Sequence, residues 1–108
     1  MMDSNIDEWN EFIDRLSNQN LARTLRAFWN KLQSLGTPLP SAILDEVDSF
    51  IQLAWDREEH HLDIDLFVDG SLDWFYRNRA TDEMDSNGDD KISEISDDLV
   101  KRLQQIIG

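Results

Sequence analysis

The sequence predicts an α+β domain with two N-terminal helices, a three-stranded antiparallel meander and a C-terminal helix on the apolar face of the sheet. Three observations lead there. Apolar residues recur at three- and four-residue steps near both ends of the chain, the period shifts to two from Phe50 onward, and 108 residues with 40% hydrophobic content suffice for one modest core. The expected organisation is a single domain over 1–108: a helical hairpin over 4–35, a connector over 37–48, the meander over 49–79, an acidic loop over 80–95 and a helix over 96–107.

Ile6, Trp9, Ile13 and Leu16 share one helical face, with Ser4 as the expected N-cap and Asp7 and Glu8 in the first turn, where the helix dipole favours acids. Ser17-Asn18-Gln19-Asn20 interrupts the pattern. Leu21, Leu25, Phe28, Leu32 and Leu35 form a second stripe that Gly36 ends before Thr37-Pro38-Leu39-Pro40. Two helices in a hairpin is the preferred reading, and one long helix is the alternative. Residues 41–48 are ambiguous between extended chain and a helical turn.

Ile51, Leu53 and Trp55 then alternate with polar or small neighbours, as do Leu62, Ile64 and Leu66 and, further on, Leu72, Trp74 and Tyr76. A three-residue Val68-Asp69-Gly70 loop with Gly70 left-handed pairs Leu66 with Leu72, Ile64 with Trp74 and Leu62 with Tyr76, which keeps one face apolar. A two-residue turn would mix the faces. The same parity, with Glu58-Glu59 at the first turn, sets Trp55 beside Leu62 and Leu53 beside Ile64. Ser96-Asp97-Asp98 caps a last helix whose inner face is Leu99, Val100, Leu103, Ile106 and Ile107.

That register predicts a second face. Asp65 lies across from Asp73, Phe75 across from Asp63, Phe50 across from Phe67, and His61 meets Arg77 and Asp56. Like charges directly opposite one another destabilise a sheet. Asp63, Asp65, Asp73, Phe75, Phe67 and Phe50 therefore form the candidate partner-binding set, suited to a basic, partly apolar surface. The competing reading is a solvated outer face whose phenylalanines lie under a helix or the 37–48 segment.

Net charge is −13, from 23 acidic and 10 basic side chains. Such a field repels nucleic-acid phosphates and anionic membranes and attracts basic proteins, although acidity also serves solubility alone. The charge is uneven: residues 18–40 hold Arg23, Arg26 and Lys31 and no acid, whereas residues 80–98 hold eight acids against Lys91. There is no cysteine, hence no disulfide, thiolate nucleophile or thiolate metal site. Neither a signal-peptide pattern nor an apolar run of about 20 residues is present, so a cytoplasmic, unanchored protein is expected.

Asp85-Ser86-Asn87-Gly88-Asp89-Asp90-Lys91-Ile92-Ser93 resembles the start of an EF-hand calcium loop. The resemblance implies oxygen ligands at Asp85, Asn87, Asp89 and Ser93 and a backbone ligand at Lys91. Asp90 stands where the motif has its turn glycine, and Ser96 where it has the bidentate acid. A flexible acidic turn explains the same residues. His60 and His61 point to opposite faces of a strand, which leaves His61 with Asp63 and Asp56 as a conceivable cation site. Leu53 and Trp55, His60-His61-Leu62-Asp63-Ile64, Asp69-Gly70, Trp74-Phe75-Tyr76-Arg77 and Arg79 together resemble a strand pattern of small bacterial proteins to which no activity attaches.

Neither a phosphate-binding glycine loop nor a nucleophile elbow nor zinc-ligand spacing occurs, and a flat sheet offers the Asp63, Asp65 and Asp73 carboxylates no enclosing pocket. The expectation is a non-catalytic acidic binding module without a cofactor, acting on a basic protein surface as an inhibitor, antitoxin, immunity or anti-defence factor, by presenting carboxylates where phosphates would sit. The alternatives are a calcium- or metal-binding regulatory module using 85–93, and a structural subunit docking through the basic helix 19–35.

Overall fold

The computed structural model describes residues 2–45 and 50–107. The chain order is α1 (Met2–Asp14), α2 (Gln19–Ser34), β1 (Ser41–Asp45), β2 (Phe50–Arg57), β3 (His60–Phe67), β4 (Ser71–Asn78), β5 (Met84–Lys91) and α3 (Asp97–Ile107). The strands form one antiparallel sheet in the order β1-β2-β3-β4-β5. The architecture is α+β, but the sheet has five strands where three were expected. Among the described residues, no helix is long and apolar enough to cross a membrane.

The two N-terminal helices are separate, divided at residues 15–18. α1 starts before Ser4, so the cap expected at Ser4 lies inside the helix. The side chain of Ile6, expected on the inner face, is outside the described set. The break is enforced by Asn18, whose side chain accepts from the Leu21 amide at 3.1 Å and caps α2. At the other end Gly36 takes φ +80, and two bonds, Gly36 N to Gln33 O and Thr37 N to Leu32 O, close a Schellman motif. Leu35 marks the end of the α2 stripe and is exposed, whereas Leu21, Leu25, Phe28 and Leu32 are buried.

The central register is the one that keeps the apolar residues on one face. Leu66 pairs with Leu72, Ile64 with Trp74 and Leu62 with Tyr76, while Trp55 pairs with Leu62 and Leu53 with Ile64. Gly70 has φ +86, a region a side chain rarely adopts. The inner positions of β2, β3 and β4 are all buried against Trp9, Ile13 and Leu16 of α1, the α2 stripe, and Leu99, Leu103 and Ile106 of α3. Each buried side chain of this size contributes about 1.5–3 kcal/mol relative to exposure. Val100 and Ile107, also expected inside, are half-buried.

The two added strands come from segments expected as connector and loop. Residues 41–45 pair with β2, so this part of the 37–48 connector extends the sheet and does not lie over it. Residues 46–49 are outside the described set. The 80–95 acidic loop is largely β5, paired with β4. Between Leu72 and Trp74 the register shifts, so that two β5 residues, 88 and 89, stand against Asp73. This bulge lets Asp85 and Asn87 on one side of it, and Asp90 on the other, all stand opposite inward-facing β4 residues.

Those inward polar groups are paired. Asp90 is buried and accepts from Trp74 Nε1 at 2.9 Å and from Ser96 Oγ at 2.8 Å, and Ser96 Oγ in turn accepts from the Leu99 amide as the cap of α3. Asp85 and Glu83 face Arg102 of α3, which is 4% exposed and sits 4.2 Å above the Tyr76 ring. Arg57 donates to the carbonyls of Ile106 and Ile107, closing the free C-terminal end of α3.

Candidate functional site

All three helices bury their apolar stripes in the single core formed with the inner sheet face. The outer face is built by alternation: with one side of each strand committed to the core, the other side must point away. Across β1 to β4 the outward residues fall in rows set by the register. Ile43, Gln52, Asp65 and Asp73 make one row, Ser41, Ala54, Asp63 and Phe75 the next, and Phe50 and Phe67 pair on the other side of the first.

The expected set is therefore brought together. Asp63, Asp65 and Asp73 converge with Gln52, Trp74 and Phe75 around a shallow cleft of about 210 Å³. This corrects the expectation of a flat face: the carboxylates line a depression, open to solvent. Phe75 is 38% exposed at its wall. Phe50 and Phe67 are half-buried against each other, their ring centroids 5.4 Å apart, beside this cleft and outside its lining.

Electrostatically the centre of the face is Asp65. Burial raises its carboxyl above the ordinary aspartate value, a hydrogen bond from Gln52 works against that rise, and the neighbouring charges of Asp73 and Asp63 add to it. Asp65 Oδ1 is shut from solvent and has no hydrogen-bond partner among the described residues. The bulge on β5 lies directly beside Asp73, at the point where the ladder is locally opened.

At the other end of the face, His61 is enclosed by acids. Its Nδ1 lies 2.7 Å from Asp56 Oδ1 and its Nε2 lies 2.9 Å from Asp63 Oδ2. Burial alone would depress the imidazolium, but these two carboxylates outweigh it and raise the pKa. His61 in turn, followed by Arg79, lowers that of Asp56. With both ring nitrogens occupied, the ring offers no free lone pair to a cation. His61 stands across from Arg77 and Asp56 in the register as expected, but the guanidinium that joins this network is that of Arg79, while Arg77 pairs with Asp82 at 3.1 Å. His60 turns to the other face, its Nδ1 2.6 Å from the Tyr76 hydroxyl.

The EF-hand-like residues lie along β5, a strand, and not in a loop. Asp85 is held by Arg102 and stands opposite Tyr76, Asn87 stands opposite Trp74, and Ser93 follows the strand in a turn. The side chain of Asp89 is outside the described set. Among the described residues no group of three or more His, Cys, Asp or Glu is arranged to hold a metal ion. On the basic helix, Arg26 pairs with Asp14 and Lys31 donates to the Ile92 carbonyl at 2.7 Å.

Sequence reasoning missed Arg102 and Asp90. The signal for Arg102 was its place three residues after Leu99 and four before Ile106, inside the apolar stripe of α3. No family model matches the chain, and neither a curated protein nor a solved structure matches it significantly.

Proposed function

We propose that the protein is a non-catalytic acidic binding module that docks the outer face of its sheet onto a basic protein surface. The observation that supports this is Asp65: a partly buried carboxylate with an unpartnered oxygen, set directly across from Asp73. Opposed like charges cost a sheet a few tenths of a kcal/mol or more. A lysine or arginine entering the cleft would offset the repulsion between the two carboxylates, and the exposed face of Phe75 would stack against its side chain. A role in masking an enzyme's basic surface, as an inhibitor or immunity-type factor, agrees with the net charge of −13.

The test is the double variant Asp65→Asn, Asp73→Asn. It preserves shape and removes the repulsion, so stability should hold or rise slightly, while salt-sensitive capture of basic proteins from the native host should weaken. If wild type and double variant capture the same proteins with the same salt dependence, this face is not the docking site.

A further inference from the structure

Among the described residues the sheet has two edges without a further strand, and they are defended differently. β5 carries acids and a bulge, and Lys91 bridges back to Glu94 just past its end. These are devices that discourage strand addition. β1, among the described residues, pairs with β2 alone. From Ser41 to Leu44 it bears no charge, and Ile43 is 64% exposed.

A groove of about 310 Å³ lies at this edge, walled by Trp9 and Phe12 of α1 and by Leu39, Pro40 and Ala42, with Glu8 alongside. Trp9 is fixed there by its neighbours: its ring lies 5.9 Å from that of Phe12 and 5.2 Å from that of Trp29. It is 6% exposed, yet its Nε1–H has no acceptor among the described residues. A buried indole normally finds one. The edge thus combines an unpaired strand, an apolar recess and an orphaned donor.

We propose that this edge and groove receive an extended segment of a basic partner, added beside β1 as a further strand. Strand addition supplies backbone N–H and C=O groups along β1, and the period of two sorts the added side chains. Alternate residues enter the groove and are apolar, and a carbonyl of the segment accepts from Trp9. The residues between emerge beside Ile43, in the row that continues through Gln52 to Asp65, and are lysine or arginine. Glu8 meets a further basic group at the groove. A second copy of the chain does not suit this edge, because each carries a net charge of −13. The inference rests on the reading that the partner is basic, but its site is the edge and not the acidic cleft.

The probe is a short synthetic peptide in which lysine alternates with valine and leucine, compared with a permuted peptide of the same composition that lacks the alternation. Amide-resolved NMR on the intact chain should show shifts along 41–45 and at the Trp9 indole N–H. The alternating peptide should bind at least about tenfold more tightly. Trp9→Phe keeps an aromatic side chain and removes the donor, and should weaken binding roughly threefold to tenfold, the worth of one net hydrogen bond. Ala42→Arg, which fills the groove and reverses the local charge, should abolish the edge shifts.

Equal binding of the two peptides overturns the inference, as does unchanged affinity in both variants. Shifts confined to Asp63, Asp65, Asp73 and Phe75 overturn it while leaving the acidic docking face standing. Edge shifts that persist in the Asp65→Asn, Asp73→Asn variant support the edge even where the acidic face has failed. Sedimentation showing a dimer of the chain that Ala42→Arg dissociates would assign the edge to a second copy and overturn it too.

Discussion

At the scale of single residues, Asp65 and His61 make stability depend on pH in the same direction for different reasons. Both bind their proton more tightly in the folded chain. For Asp65 the cause is burial, then the acids beside it; for His61 burial opposes the shift, and the bonds to Asp56 and Asp63 overcome it. A group with a raised folded pKa favours the native state below its unfolded pKa and loses that contribution as pH rises through the folded one. Stability should therefore fall from about pH 4 upward through Asp65, and again above about pH 6.5 through His61. Asp56, lowered chiefly by His61, acts in the opposite sense at the acid end, and its exposure keeps its share small. Denaturation midpoints measured from pH 4 to pH 9 should show Asp65→Asn flattening the first decline and His61→Gln the second. An unaltered profile in either variant would remove that residue from the account.

At the scale of elements, the β3–β4 connection decides which side chains face out. Gly70 carries φ +86, and a Cβ there would meet Ile92 Cγ1 at 3.3 Å. Gly70→Val should therefore destabilise the domain by about 1 kcal/mol or more, because a β-branched residue is strained in that region and Ile92 would have to yield. Chemical denaturation reads this directly, and an unchanged midpoint would contradict the left-handed loop. This loop was legible in the sequence because an uninterrupted alternation stood on each side of it, leaving one loop length that kept Leu66, Ile64 and Leu62 with Leu72, Trp74 and Tyr76. The opposition of Asp65 and Asp73 followed from the same parity. β5 was illegible for the converse reason. Its inward positions are Asp85, Asn87 and Asp90, of which Asp85 is held by Arg102 and Asp90 by Trp74 and Ser96, and the bulge breaks the parity that a periodic pattern needs. β1 is five residues long, too short for alternation to separate it from a helical turn. The cleft was hidden as well, since register gives neighbours but not the local relief around Asp73.

At the scale of the whole molecule, the helices and the core lie to one side of the sheet, and a strong negative field surrounds both. Whether that field is a diffuse solubilising charge or is concentrated at the outer face can be separated by salt. Raising ionic strength from about 0.01 M to 1 M shortens the screening length from about 30 Å to about 3 Å, which relieves self-repulsion and should raise the melting temperature of the wild type. If the acids act only through net charge, Asp65→Asn with Asp73→Asn changes it from −13 to −11. Self-repulsion scales with the square of net charge, so the salt-induced rise should then shrink by roughly a quarter. Asp65 is partly buried and stands opposite the exposed Asp73, so its repulsion in the wild type is screened less than that between two fully exposed acids. The double variant should accordingly start at a higher melting temperature in low salt and lose about half of the salt-induced rise. Calorimetric scans of both proteins across that salt range measure the difference. A reduction of only a quarter would make the outer face an ordinary part of an acidic surface, and a reduction of half or more would mark it as the place where the free protein holds repulsion that a cationic partner relieves.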